Sequence, residues 1–161
     1  MFTELRSTLA AAALVAVTIA PAGAKDVILT IDGQISGNAA IDMSIEDIEA
    51  LGSAEIVTKT PWHEKQVRFE GVPLSALLEK VGATGKTLSV VALNNYRSEM
   101  PASDGVDHGA ILAYKQDGNY MPVSDKGPLF IVYPFDADPS LGNEVYYARS
   151  AWQVRAITVE D

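Results

Sequence analysis

The most regular hydrophobic pattern in the chain lies between residues 69 and 82, where a strand passes into a short helix. Gly71 permits a tight turn, and Pro73 is suited to the first position of a helix. Gly82 can end that helix in the left-handed conformation. The apolar residues between them recur at helical spacing and form one stripe: Leu74, Leu77, Leu78 and Val81. The pattern therefore predicts a short helix with one buried face.

Elsewhere the hydrophobic patterns predict mainly strands. Alternating or continuous apolar runs, bounded by turn residues, occupy 27–33, 54–60, 87–93, 96–100, 129–133 and 151–159. A hairpin is predicted around 116–119, and Ser44 is predicted to cap a helix that ends near Gly52, with Asp47 at the capping-box position. Short helices among seven or more strands predict an α+β fold with a mixed sheet.

Composition limits the function classes. The sequence has 161 residues, of which 48% are hydrophobic, so one domain with a substantial core is expected. The net charge of -9 argues against a nucleic-acid partner or an anionic membrane surface, because both need clustered Lys and Arg.

The N-terminal segment has the pattern of a secretory signal peptide. Arg6 precedes an apolar run at 8–20, and small residues at 22–24 form a cleavage site before Lys25. The run is shorter than the roughly 20 residues of a membrane-spanning helix. We therefore predict a signal peptide at 1–24 and a mature domain at 25–161. We expect general secretion to the periplasm or outside, without stable membrane insertion after cleavage.

A set of short motifs occurs in a fixed order along the second part of the chain. They are the Gly-Val-Pro-Leu turn at 71–74, Tyr-Arg-Ser-Glu-Met-Pro-Ala-Ser-Asp at 96–104, Gly-Pro-Leu at 127–129, Tyr-Pro at 133–134 and Trp152. In these residues the chain resembles the oxidoreductase molybdopterin-binding domain family, over about residues 54–161. The resemblance implies the sulfite oxidase-like fold, in which a mixed β-sheet core carries short flanking helices.

Several features depart from that family. Its enzymes hold molybdenum through one cysteine thiolate, a soft ligand that a hydroxyl does not replace well, and this sequence has no cysteine. The resemblance puts the missing ligand near Thr58, and puts Phe130 and Ala151 where the enzymes carry Arg and Lys. The leader also lacks the twin arginine of the family's exported enzymes. We therefore expect no bound cofactor, no catalytic residue and no molybdenum catalysis, with molybdopterin binding as the alternative.

The pocket of the family is nevertheless expected to persist. Trp62, Tyr96 and Phe130 are predicted as its walls, near Thr58, with a polar mouth formed by Asn94, Asn95 and Arg97. Aromatic walls and a few amides suit a flat neutral or weakly anionic ligand, and an anion would need Arg68 or Arg97. The alternative is that residues 94–97 form an ordinary polar surface turn and do not bind a ligand.

The other residues that could act as acids, bases or metal ligands are interpreted as having no catalytic or metal-binding role. His63 is predicted to lie in a solvated loop, since no partner of known position makes it an acid, a base or a ligand. Asp104, Asp107 and His108 match no metal-binding signature, so no metal site is expected. Hydrolase motifs of the Gly-x-Ser-x-Gly and HExxH types do not occur in the sequence.

The sequence thus predicts an exported module that has lost molybdenum catalysis and binds a small molecule or a periplasmic protein partner. The alternative is a molybdopterin-dependent oxidoreductase subunit that acts on sulfite or sulfoxide-type substrates.

Overall fold

The structure is a computed structural model that describes residues 25–161. Within this range the chain forms ten β-strands and four α-helices. The strands are β1 (Leu29–Gly33), β2 (Ile41–Met43), β3 (Ala54–Thr60), β4 (His63–Pro73), β5 (Thr87–Ala92), β6 (Arg97–Pro101), β7 (Ile111–Gln116), β8 (Asn119–Tyr120), β9 (Phe130–Val132) and β10 (Val154–Glu160). The helices are α1 (Ile45–Glu49), α2 (Leu74–Lys80), α3 (Asp104–Asp107) and α4 (Glu144–Arg149).

The strands form two sheets. The first has the order β2-β1-β10-β5-β6, and its β1–β10 pair is parallel whereas the other pairs are antiparallel. The second has the order β3-β4-β7-β8, with β9 also paired to β7, and all its pairs are antiparallel. The predicted α+β fold with a mixed sheet is therefore confirmed.

The main hydrophobic core joins both sheets to the helices. It includes Leu29, Val90 and Ile157 from the first sheet and Leu112 and Ile131 from the second. The apolar stripe of α2 packs into the same core, as its spacing predicted. A smaller cluster within the second sheet surrounds Phe69 and Phe130, and both tryptophans of the sequence pack against it.

Caps at the helix ends agree with the local sequence. Ser44 caps α1, because its side-chain oxygen accepts a hydrogen bond from the backbone N–H of Asp47 while the Asp47 carboxylate accepts one from the Ser44 N–H. Pro73 lies at the N-terminal cap of α2, and Gly82 adopts a positive φ of 61° just beyond its end. These two helices were predicted from the sequence.

Other elements differ from the prediction. His63 does not lie in a loop but begins β4, which continues for 11 residues to Pro73. Gly71 lies inside this strand, at a register shift against β7, and not in a turn. Helix α4 was not predicted, and it turns out to carry one wall of the candidate site.

No helix among residues 25–161 is long and apolar enough to span a membrane. The predicted signal peptide at 1–24 lies outside the described residues, so its cleavage and the domain boundary at 25 stay predictions.

Candidate functional site

The candidate site is a cavity of about 210 Å³, which we call the aromatic pocket. Four of its lining side chains are aromatic, and among residues 25–161 no Lys, Arg, Asp or Glu side chain lines it. The lining residues are Trp62, Ala92, Asn94, Tyr96, Tyr147, Ala148, Ser150, Ala151 and Trp152.

Long-range pairing brings the two tryptophans together. Trp62 follows the end of β3, where its backbone N–H donates to the Thr60 hydroxyl oxygen at 3.2 Å. Trp152 lies just before β10, and an isolated bridge pairs it with Phe130 of β9. The two indole rings have centroids 4.8 Å apart and planes at 79°. They meet nearly at right angles on one side of the pocket.

The turn between β5 and β6 forms a second wall. Asn94 accepts a hydrogen bond from the Tyr96 backbone N–H at 3.0 Å, and Asn95 has a positive φ of 66°. Arg155 holds this turn from β10, since its guanidinium donates to the Ala92 carbonyl oxygen (3.1 Å) and to the Asn95 side-chain oxygen (3.0 Å). The turn is therefore fixed by its own hydrogen bonds and by a neighbouring strand.

The C-terminal end of α4 forms a third wall. The carbonyl oxygen of Ala148 accepts hydrogen bonds from the hydroxyls of Ser98 (2.6 Å) and Tyr96 (3.4 Å). The Ser150 hydroxyl donates back to the Tyr146 carbonyl oxygen at 2.8 Å. These contacts join the helix to β6 across the pocket. Each of the three hydroxyl hydrogens is donated to a backbone carbonyl oxygen of the protein itself.

A buried carboxylate anchors α4 on its other side. Asp104, which is 2% exposed, accepts hydrogen bonds from the Tyr133 hydroxyl (2.6 Å) and from the Arg149 guanidinium (3.0 Å). Burial, reinforced by the hydrogen bond to Asp104, raises the pKa of Tyr133 far above its ordinary value. His108 and Tyr146 complete the group through a 3.1 Å contact between Nε2 and the hydroxyl. Asp104 is thus a structural anchor that fixes α4.

The structure brings together some of the predicted site residues. Trp62, Asn94 and Tyr96 line the aromatic pocket. Asn95 and Arg97 are neighbours in the same turn and strand, but neither lines it, and both are exposed. The polar mouth is therefore formed by Asn94 rather than by the predicted group of three residues.

Phe130 occupies a different position from the predicted one. It is fully buried, and its ring lies 5.9 Å from that of Trp62 and 6.4 Å from that of Trp152. It supports the two indoles from behind and does not line the cavity. The reason is that β9 is buried along its length, pairs with β7 and packs Phe130 into the smaller hydrophobic cluster.

Thr58 also lies away from the pocket. Its side chain is fully buried, accepts a hydrogen bond from the Asp136 backbone N–H at 3.0 Å and donates to the Lys59 carbonyl oxygen at 3.0 Å. Alternation along β3 turns Thr58 inward together with Ile56. Its role here is to hold the loop around Asp136 against the strand.

His63 is half-buried at the start of β4. Its Nδ1 atom lies 2.7 Å from the Thr60 hydroxyl, and its ring lies 5.6 Å from that of Phe69. Burial lowers the pKa of His63, which favours the neutral ring. The residue therefore packs beside the smaller core, and it does not line the pocket.

Sequence reasoning missed most of the C-terminal wall, from Tyr147 to Trp152. A local signal existed, because Asn143 caps α4 by accepting a hydrogen bond from the Val145 backbone N–H. The meeting of this wall with Trp62 had no local signal. Within residues 25–161, no group of three or more metal-ligating side chains is assembled.

Comparison with known proteins gives a family and a similarity to solved structures. The sequence model of the oxidoreductase molybdopterin-binding domain matches residues 19–137. The fold is similar to that of the sulfane dehydrogenase SoxCD from Paracoccus pantotrophus, with a TM-score of 0.61 and 19% identity. That alignment covers 83% of this chain but 38% of the other, so this chain spans well under half of its relative. No curated protein matches the sequence.

The expectation that the chain takes no cofactor is wrong at the level of the family. A match to a molybdopterin-binding domain over residues 19–137 points to molybdopterin as the cofactor. The residues of the aromatic pocket do not fit the metal end or the phosphate of that cofactor. The sequence offers no thiolate for molybdenum, and no Lys or Arg in the described part of the chain lines the cavity for an anion.

Proposed function

The chain belongs to the oxidoreductase molybdopterin-binding domain family, and on that premise we propose that it is an exported binding module whose aromatic pocket holds a small organic ligand. In this proposal the pocket does not carry out thiolate-ligated molybdenum oxidation.

The aromatic pocket is the observation that carries the proposal. Its walls combine large apolar surface with few polar groups, which is the usual composition of a small-molecule site. Its volume of about 210 Å³ is below the range of roughly 300–1,000 Å³ typical of drug-sized ligands, so a small molecule or one group of a larger molecule fits best.

The chemistry of the walls supports binding over turnover. From Lys25 to Asp161, no carboxylate, imidazole, amine or thiol lines the cavity, and the hydroxyls of Tyr96 and Ser150 donate to backbone carbonyls. The titratable groups on the described walls are the phenols of Tyr96 and Tyr147, and no carboxylate or imidazole lies beside them there to exchange a proton with a ligand. The pattern at 1–24 supports export by the general secretory route.

The test is a binding assay read by intrinsic fluorescence, because both tryptophans of the sequence line the pocket. Mature protein is titrated with choline, benzamide, benzoate and pterin, which differ in charge and shape. We expect a saturable change with at least one probe. The change should weaken in Tyr96→Leu and persist in Tyr120→Leu, a matched control because these tyrosines are 49% and 55% exposed. No saturable response to any probe would overturn the proposal.

The family match favours a second candidate function, that of a molybdopterin-dependent oxidoreductase subunit acting on sulfite or sulfoxide-type substrates. The structural relative, a sulfane dehydrogenase, is consistent with this candidate in fold alone. Expression with a twin-arginine leader in a host that makes molybdopterin, followed by molybdenum analysis and turnover assays, separates the two. Stoichiometric molybdenum with turnover would establish the oxidoreductase.

A further inference from the structure

Building on the binding function proposed above, we propose that the aromatic pocket binds a quaternary ammonium group. Four aromatic side chains line it: Trp62, Tyr96, Tyr147 and Trp152. Aromatic rings attract cations through the negative potential of their faces, and tryptophan does so most strongly. The nearly perpendicular indoles offer two differently oriented walls to one compact group.

The charges around the pocket disfavour an anion. Neither Arg68 nor Arg97 lines the cavity. Arg155, which holds the turn beside it, is committed to the Ala92 carbonyl and the Asn95 side chain, and Arg149 is paired with buried Asp104. An anionic ligand therefore finds no cationic side chain on the walls, where a specific anion site would need one.

The electrostatic field of the whole protein favours a positively charged ligand. The chain carries a net charge of -9, so it attracts positive ligands at long range. This long-range attraction acts in the same direction as the aromatic walls.

The hydrogen bonds of the pocket select the kind of cation. The side-chain oxygen of Asn94 already accepts from the Tyr96 backbone N–H, and the Ala148 carbonyl accepts from two hydroxyls. A primary ammonium would bring three N–H donors into a cavity with few free acceptors, and burying unpaired donors is costly. A quaternary ammonium has no N–H group, so it needs no hydrogen-bond acceptor. Its positive charge can be stabilised by the faces of the aromatic side chains alone.

The experiment compares choline with 3,3-dimethylbutan-1-ol, in which carbon replaces the charged nitrogen at nearly the same shape. Titration calorimetry and tryptophan fluorescence on the mature protein measure both affinities. We expect choline to bind about two- to fivefold more tightly, as one exposed cation–π contact supplies roughly that factor. Tyr96→Leu should weaken choline binding by a similar factor, whereas Tyr96→Phe and the control Tyr120→Leu should retain it.

Equal binding of choline and its neutral analogue would overturn the cation inference and leave the binding function standing. The same holds if benzamide, benzoate or pterin binds at the pocket and choline does not. Failure of every probe would overturn the inference together with the proposed function.

Discussion

At the scale of single residues, the buried pair of Asp104 and Arg149 has the clearest energetic consequence. The Asp104 side chain is 3% exposed and the Arg149 side chain 22% exposed, so solvent screens their interaction only partly. Removing one charge from such a pair leaves the other desolvated without compensation. Because Arg149 ends α4, the loss would also loosen one wall of the aromatic pocket.

Asp104→Asn should lower the free energy of unfolding by about 3 kcal/mol, because Arg149 keeps its charge without its partner. Urea denaturation measures the change. Glu55→Gln is the matched control, since its pair with Arg68 has side chains 50% and 58% exposed and should be worth less than about 1 kcal/mol. A loss in Asp104→Asn no larger than in the control would contradict the anchoring role.

Tyr133 gives a pH dependence with a definite sign. Its pKa is raised in the folded protein, mainly by burial, whereas the unfolded chain releases this proton near pH 10. Above about pH 10 the unfolded state therefore binds fewer protons, and the free energy of unfolding should fall as pH rises. Tyr133→Phe should reduce the steepness of this fall in denaturation curves from pH 9 to 11. Equal slopes in the two proteins would refute the assignment.

At the scale of elements, the contact between β4 and β7 depends on Gly71. A Cβ atom at this position would lie 2.3 Å from the Leu112 carbonyl oxygen and 2.6 Å from the Ala113 Cα, both backbone atoms that cannot move aside. The register shift at Gly71 allows the two strands to approach closely just before α2 begins. The glycine is required here by close approach of two backbones.

Gly71→Ala should therefore destabilise the protein by about 3 kcal/mol through strand separation. Gly118→Ala serves as a control, since Gly118 has a φ of 82° but no atom within 4 Å of an added Cβ. Its cost should stay near 1 kcal/mol, from backbone conformation alone. Thermal and urea unfolding compare the two variants, and a smaller effect at Gly71 than at Gly118 would contradict the explanation.

At the scale of the whole molecule, two sheets share one core, and segments distant in sequence meet at the aromatic pocket. Trp62 and Trp152 are 90 positions apart, yet their rings are 4.8 Å apart. The family match ends at residue 137, before α4 and Trp152. The pocket thus combines the matched part of the chain with a C-terminal segment beyond it.

The proposed export predicts a processed N-terminus. N-terminal sequencing and intact mass of protein from the periplasmic fraction should give a chain that begins at or near Lys25. In the structure the Lys25 ammonium lies 2.6 Å from Asp47 and lowers the pKa of that carboxyl to about 2, together with the Ser44 hydrogen bonds. Recovery of an unprocessed chain in the membrane fraction would show instead that the apolar run at 8–20 is an anchor.

The sequence by itself determined the elements with strong local signals. The stripe and caps of α2, the capping box of α1 and the period of β3 predicted these elements, because their stability depends on residues within a few positions of one another. The ordered motifs likewise identified the family and its fold. Of the residues predicted for the ligand pocket, Trp62, Asn94 and Tyr96 line the aromatic pocket, and their role in binding stays a prediction.

Only the tertiary structure decided which side chains meet. Whether Thr58 faces the pocket depends on the register of β3 against β4, and whether Phe130 or Trp152 forms the wall depends on the pairing of β9 with distant segments. Local patterns indicate which face of a strand is buried but not which distant strand it pairs with, since the backbone hydrogen bonds that join strands can be made by any sequence. The aromatic pocket is therefore a property of the fold, because the aromatic residue types are visible in the sequence but their contacts depend on the tertiary structure.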